Sequence, residues 1–284
     1  MVFSKTLASP VAFEGIGVHS GKSVRLRLLP SPAPGIVFRR TDLENTEMPL
    51  AFDRVESRNS TTLRGDRFQV RTVEHLLAAL WVPGIDSLVV ELDADEIPIM
   101  DGSAEPFARA LQSAGIVVLP FPQAALRVVR PFMLEDGGAT IAFAPPGEEN
   151  ELEISYAIDY AHPAIGVQTL RRPLRWDVFV GEIAPARTFG FLKDVEGLHA
   201  QGLALGASVS NTVVLDEAGV MNGPLRFPDE FVRHKLLDLA GDLALLGRSL
   251  QGRVTASKAG HRLHFQGVRH LLDHPELAVV EGKS

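Results

Sequence analysis

Cysteine is absent from all 284 residues. That removes disulfide frameworks and thiolate metal sites, so any ion must be held by His, Asp or Glu. No run of about 18 apolar residues occurs, and no membrane-spanning helix is expected. The opening stretch MVFSKTLASPVAFEGIGVHSGK has no apolar signal-peptide core, which leads to an expected home in the cytoplasm. An excess of positive charge is missing too. The 28 Lys and Arg fall short of 35 Asp and Glu, giving a net charge of -7. This argues against nucleic-acid binding but leaves room for an anionic small substrate held by a few local bases. With 45% hydrophobic residues the chain can bury a large core, as one large domain or two ordinary ones. It is expected to act as a monomer.

Alternation of Val24, Leu26 and Leu28 with Arg25 and Arg27 marks a half-buried strand. A Pro-rich turn, residues 30–35, leads to a returning strand, 36–40. Residues 73–81 read as a helix capped by Thr72 and ended by Pro83-Gly84. A strand over 87–92 and a helix over 106–114, closed by Gly115, follow. The apolar, Pro-flanked stretch 117–122 is the best domain break. Beyond it, EDGG (135–138) joins two strands as a hairpin, and a further strand runs through Leu152, Ile154, Tyr156 and Ile158. Short helices are expected over 177–184 and 194–201, with a strand over 210–215. A long helix over 229–246, a strand over 253–257 and a last helix near 268–272 complete the chain. Both halves run strand, turn, strand, late helix, which suggests a duplicated α+β unit.

The long helix carries His234, Asp238 and Asp242 four residues apart, hence in one row. Leucines cover the other directions, so the row faces protein rather than water. On residues alone it reads as a partial metal site or as a core histidine bonded to a carboxylate. Two ligands are supplied, and a third is needed. Glu74 and His75, adjacent at the start of another helix, offer a ligand beside a proton acceptor, or a helix-start acid beside an incidental His. His261, after Gly260, reads as an exposed loop residue or a general acid. His162, His199, His264, His270 and His274 read as structural.

Taken together, GVHSGK (17–22), FRRTDL (38–43), TVEHLLAAL (72–80), EIPIMDGSAEPF (96–107), IDYAHPAIG (158–166), ARTFGF (186–191), LRFPDEFVRHKLLDLAGDLALLG (225–247) and KAGH (258–261) resemble the UDP-3-O-acyl-N-acetylglucosamine deacetylase family, the zinc amidases of lipid A synthesis. The resemblance covers nearly the whole chain. It implies that His75, His234 and Asp238 bind zinc, with iron(II) an alternative, and that Glu74 is the general base. His261 would be the general acid or an electrostatic stabiliser, and Asp242 would orient it. Thr188 would help hold the oxyanion, and Lys235 would stand near the substrate phosphate and the reacting centre. The implied fold is two α+β domains, 1–122 and 123–284, each a small sheet layered with helices. The active site lies between them, and a βαβ insert at about 188–215 forms a passage for the acyl chain.

The chemistry fits those residue types. An amide is a poor electrophile and water a poor nucleophile at pH 7. Zinc lowers the pKa of water from about 15.7 toward ~7 and polarises the carbonyl. If Asp242 raises the His261 pKa, a bell-shaped pH profile results, with Glu74 on the acid limb and His261 on the basic limb. Lys235 and Lys258 are candidates for the diphosphate. Phe189 or Tyr160 would stack on uracil, with Asp159 accepting from the nucleoside. Leu192, Val195 and Leu198, at helical spacing, would line the acyl passage or belong to ordinary core. The sequence departs from the family pattern at Tyr160, where Phe is usual, and at Arg262-Leu-His264-Phe, where small and amide residues are usual. His19 matches a position linked in the family to a second, inhibitory zinc. Two other readings stay open: a deacetylase for a different N-acetyl sugar, and a non-catalytic sugar-nucleotide or lipid-binding module.

Overall fold

The computed structural model describes residues 2–57 and 60–282. The fold is mixed α+β, with several small sheets and six helices among those residues. The first sheet orders its five strands as Val11–Ile16, Ser23–Pro30, Ser87–Leu92, Gly35–Arg40 and Thr46–Pro49. The expected alternation holds: Val24, Leu26 and Leu28 are fully buried, while Arg25 and Arg27 face out. Helices α1 (Glu74–Trp81) and α2 (Glu105–Ala114) pack in this half. Thr72 does not cap α1. Val73 occupies the cap position without a side-chain bond, and Thr72 sits in the left-handed region at φ 57°, its hydroxyl donating to Glu96 Oε1 at 3.0 Å.

The stretch expected to be a break, 117–122, is instead part of a strand, Ile116–Gln123, paired antiparallel with Val2–Leu7. Its prolines are tolerated because a two-stranded ribbon leaves one edge of each strand unpaired. From residue 125 onward a seven-stranded sheet forms around Ser249–Ser257. Its hairpin of Phe132–Asp136 and Ala139–Ala144 turns at Gly137 and Gly138, both at positive φ, as the EDGG signal predicts.

Helix α3 (Trp176–Val178) runs into a π turn, Phe179–Ile183. Helix α4 (Val195–Ala200) lies between Phe189–Phe191 and Val213–Leu215, which pair in parallel. This is the βαβ insert, with its second strand beginning three residues later than expected. Helix α5 (Glu230–Leu243) tightens into a last turn, Ala244–Leu246, and stops at Gly247 in the left-handed region. Helix α6 spans His261–Asp273, beginning seven residues before the expected start. His261 therefore opens a helix rather than sitting in an exposed loop, and its side chain is 11% exposed. No helix is long and apolar enough to cross a membrane among the described residues.

One hydrophobic core runs through both sheets, and α1 packs along α5 in its middle. Gly241 permits their closest approach: a Cβ there would lie 2.1 Å from the Glu74 carbonyl oxygen. That crossing places the first turn of α1 beside the polar row of α5.

Candidate metal centre and active site

The row of α5 is buried along its length. His234 and Asp238 are 3% exposed and Asp242 is fully buried. From α1, His75 reaches the same point. Asp238 Oδ1 lies 3.7 Å from His75 Nε2 and 3.4 Å from His234 Nε2, and the two imidazoles meet edge to face with centroids 5.0 Å apart. Two donors about 2.0–2.1 Å from one tetrahedral ion stand about 3.3–3.4 Å from each other. The two carboxylate–imidazole spacings lie near that value, and all three donor atoms fall within 4.8 Å of one another, so the group could hold one shared ion. The donor set of two imidazoles and a carboxylate suits zinc or iron(II).

The tautomer of His234 follows from its neighbour. Its Nδ1 donates to the Ala186 carbonyl at 3.0 Å, which leaves a lone pair on Nε2 facing the centre. Burial pushes its pKa down to about 4, against the pull of Asp238, so the ring is neutral. Ala186 is fixed by the next residue, Arg187, which binds the fully buried Glu230 through Nε at 2.8 Å and Nη2 at 3.1 Å. His75 Nδ1 is buried without a hydrogen-bond partner among the described residues. Asp238 Oδ2 accepts from Lys235 Nζ at 2.8 Å. Burial favours the neutral acid, but Lys235 and His234 outweigh it and hold Asp238 well below the ordinary carboxylate range. In turn Lys235, despite its own burial, is held above the usual lysine value by Asp238 and by the Tyr156 and Tyr160 phenols.

Glu74 stands beside the three donors. Its Oε2 accepts from the Thr61 amide at 3.1 Å, and its Oε1 is 3.9 Å from His261 Nε2. Burial raises its pKa, opposed by His261 and His75. His261 Nδ1 donates to Asp242 Oδ2 at 2.7 Å. Burial disfavours the imidazolium, yet Asp242, then Glu74 and Asp238, raise the His261 pKa to about 9. Asp242 is correspondingly held below its usual value by His261 and His264, against its burial.

Asp242, His261 and His264 also cluster tightly enough to suggest an ion. Their spacing says otherwise. Oδ2 lies 2.7 Å from both imidazole Nδ1 atoms, a hydrogen-bond distance well inside the ~3.3 Å that shared coordination demands. This second cluster holds protons.

Thr188, Phe189, Tyr160, Leu192, Val195 and Leu198 share the wall of one cavity of about 870 Å³ with Glu74, His75, His234, Lys235, Asp238 and His261. Phe189 meets Tyr160 and Phe231 edge to face. Asp159 and Lys258 lie outside that wall, joined in a partly exposed ion pair at 2.6 Å. Three buried residues escaped the sequence reading. Thr61 donates to Asp242 Oδ1 at 2.5 Å. Glu96 accepts from the amides of His19 and Ser20 at 2.8 Å each, tying that loop to Thr72. His264 bonds Asp242, and its spacing of three from His261 was the available signal.

A family model described as UDP-3-O-acyl N-acetylglycosamine deacetylase matches residues 4–273. A Myxococcus xanthus protein is 46% identical over 275 residues, covering 95% of this chain and 87% of its own. A Thermodesulfovibrio yellowstonii protein is 43% identical over 277 residues, covering 96% and 93%, and one from Pseudomonas entomophila is 45% identical over 278, covering 96% and 91%. All three carry the name UDP-3-O-acyl-N-acetylglucosamine deacetylase. Matches of that extent, on a chain whose motifs converge on one buried centre, make this protein a member of the UDP-3-O-acyl-N-acetylglucosamine deacetylase family of hydrolytic enzymes.

Proposed function

We propose that the protein hydrolyses the N-acetyl amide of UDP-3-O-acyl-N-acetylglucosamine, releasing acetate and UDP-3-O-acyl-glucosamine for lipid A synthesis. The observation that carries this reading is the meeting of His75, His234 and Asp238 from two helices, with Glu74 and His261 beside them on one cavity wall. His75 Nε2, His234 Nε2 and Asp238 Oδ1 would hold the zinc ion, or iron(II) in cells. When bound, the ion supplies Lewis acidity that activates water and polarises the amide carbonyl.

The chain's own groups divide the rest. Lys235 occupies Asp238 Oδ2, which leaves Oδ1 as the ligand atom. Glu74 accepts the attacking water's proton. The Thr188 hydroxyl donates to the amide oxygen as negative charge develops there, a contribution of about 3–4 kcal/mol for a well-placed donor. His261 keeps Nδ1 on Asp242 and turns Nε2 toward Glu74. Its Nε2 proton, or the one Glu74 has gained, passes to the leaving amine. Phe189 and Tyr160 offer apolar faces to the nucleoside end, while Lys258 and Asp159 would bind there only by opening their ion pair. Leu192, Val195 and Leu198 line the passage for the acyl chain. The two α+β domains, 1–122 and 123–284, close on the site, and the enzyme acts as a cytoplasmic monomer.

The test is Glu74→Ala with metal analysis. One equivalent of metal should remain bound while deacetylation falls by roughly 10²–10⁴-fold. Retained activity would remove Glu74 from the mechanism, and failure of the wild-type chain to hydrolyse the acylated substrate would remove the reaction itself.

A further inference from the structure

His264 lies three residues beyond His261 on α6, so both rings leave the helix on one side. It is 1% exposed. Its Nδ1 lies 2.7 Å from Asp242 Oδ2, the oxygen that also takes His261 Nδ1 at 2.7 Å. A carboxylate only accepts, so each Nδ1 carries the hydrogen. On the other side of the ring the Tyr156 hydroxyl lies 3.1 Å from Nε2 and 2.7 Å from the Ala259 carbonyl, two acceptors that compete for its one hydrogen. Burial lowers the His264 pKa against the pull of Asp242, in keeping with a neutral ring bearing one hydrogen.

We propose that His264 is a positioning residue: it shares the Asp242 carboxylate with His261, fixes that carboxylate's rotation and limits how tightly it holds the His261 proton. Only the kinetic consequence rests on the deacetylase reading. Asp242 is fully buried, so no water replaces a lost donor. Among the described residues its two oxygens serve three donors: Thr61 on Oδ1, and the two imidazoles on Oδ2. When one imidazole is removed, the negative charge it stabilised falls on the other, and the His261 cation is favoured. The remaining groups around His261 stay in place: Glu74 on α1, Asp238 beyond it on α5, and Thr61 and Phe265 in contact. Lys235 is the other charge acting on His264.

The experiment reads the His261 pKa by NMR in the metal-loaded, histidine-labelled full chain, alongside the pH profile of kcat/KM. His264→Leu and His264→Phe are donor-free and apolar. Each should raise the His261 pKa, and the basic limb of activity with it, by roughly one pH unit while metal content stays at one equivalent. His264→Asn, whose amide stands where Nδ1 was, should return both to the wild-type position. A His261 pKa unchanged within about 0.2 units in whichever donor-free variant folds, or an Asn variant shifted as far as that one, overturns the proposal. If the pKa moves as expected but even the wild-type chain deacetylates nothing, the reaction reading falls and the role of His264 stands.

Discussion

Asp242 and His261 make opposite demands on pH. The pKa of His261 is raised to about 9 in the fold, against about 6.5 in an unfolded chain. The folded state then binds the proton more tightly, so this stabilisation is complete below pH ~6.5 and is lost as pH rises toward about 9. Asp242 is depressed, so its contribution is present above its unfolded value of about 3.9 and is lost as pH falls below that. His264, also depressed, adds to the acid-side loss below pH ~6.5, where the unfolded chain takes up a proton that the folded ring refuses. Denaturant unfolding of the metal-free protein should therefore show stability declining between about pH 6.5 and 9, by up to ~1.4 kcal/mol per unit. His261→Gln should flatten that decline, and an unchanged slope would mean His261 is not the group responsible. In the metal-loaded enzyme the same variant should abolish the basic limb of kcat/KM, which a persisting limb would contradict.

At the scale of elements, the site depends on two helices crossing at Gly241. A Cβ at that position would meet the Glu74 carbonyl at 2.1 Å and the Glu74 Cα at 2.8 Å, both backbone atoms that no side-chain rotation can clear. Gly241→Ala should therefore push α1 from α5, costing about 1–3 kcal/mol by denaturant unfolding. Metal affinity should fall with it, since His75 moves relative to His234 and Asp238. Stability and metal titration curves matching wild type would refute the crossing. The helices themselves were legible, because α5 states its periodicity and its polar row in local sequence. The start of α6 was not, because Gly260 before His261 reads as a loop when it is in fact an extended residue just before the helix. The strand Ile116–Gln123 was hidden by its prolines, which only an unpaired ribbon edge accommodates. Thr61 gave no signal because its amide and its hydroxyl become functional only through partners 13 and 181 residues away, respectively. Glu74, His75, His234, Asp238, Asp242 and His261 were recognisable from motif likeness, but their convergence is a property of packing that spacing cannot encode.

For the whole molecule, the proposed ligand set bridges regions that the sheets keep apart. Every strand of the five-stranded sheet ends before residue 93, and every strand of the seven-stranded sheet begins at or after residue 125. His75 belongs to the first region, while His234 and Asp238 belong to the second. An ion held by all three would tie the halves together and be absent from the unfolded chain, so its binding free energy adds to folding. At a free metal concentration of 100 times Kd the gain is about 2.7 kcal/mol. Chelation should therefore lower Tm by several degrees, and zinc should restore it in proportion to the logarithm of its concentration. His75→Ala removes the one proposed ligand that comes from the other half of the molecule and should lose most of this increment. His199→Ala, at an exposed histidine of α4 outside the ligand set, should keep it. The contrast separates a bridging ion from adventitious zinc on surface histidines. A metal-dependent Tm gain that survives His75→Ala intact would mean that α1 and α5 do not share an ion, and the joining of the two regions would then rest on the apolar α1–α5 contact alone.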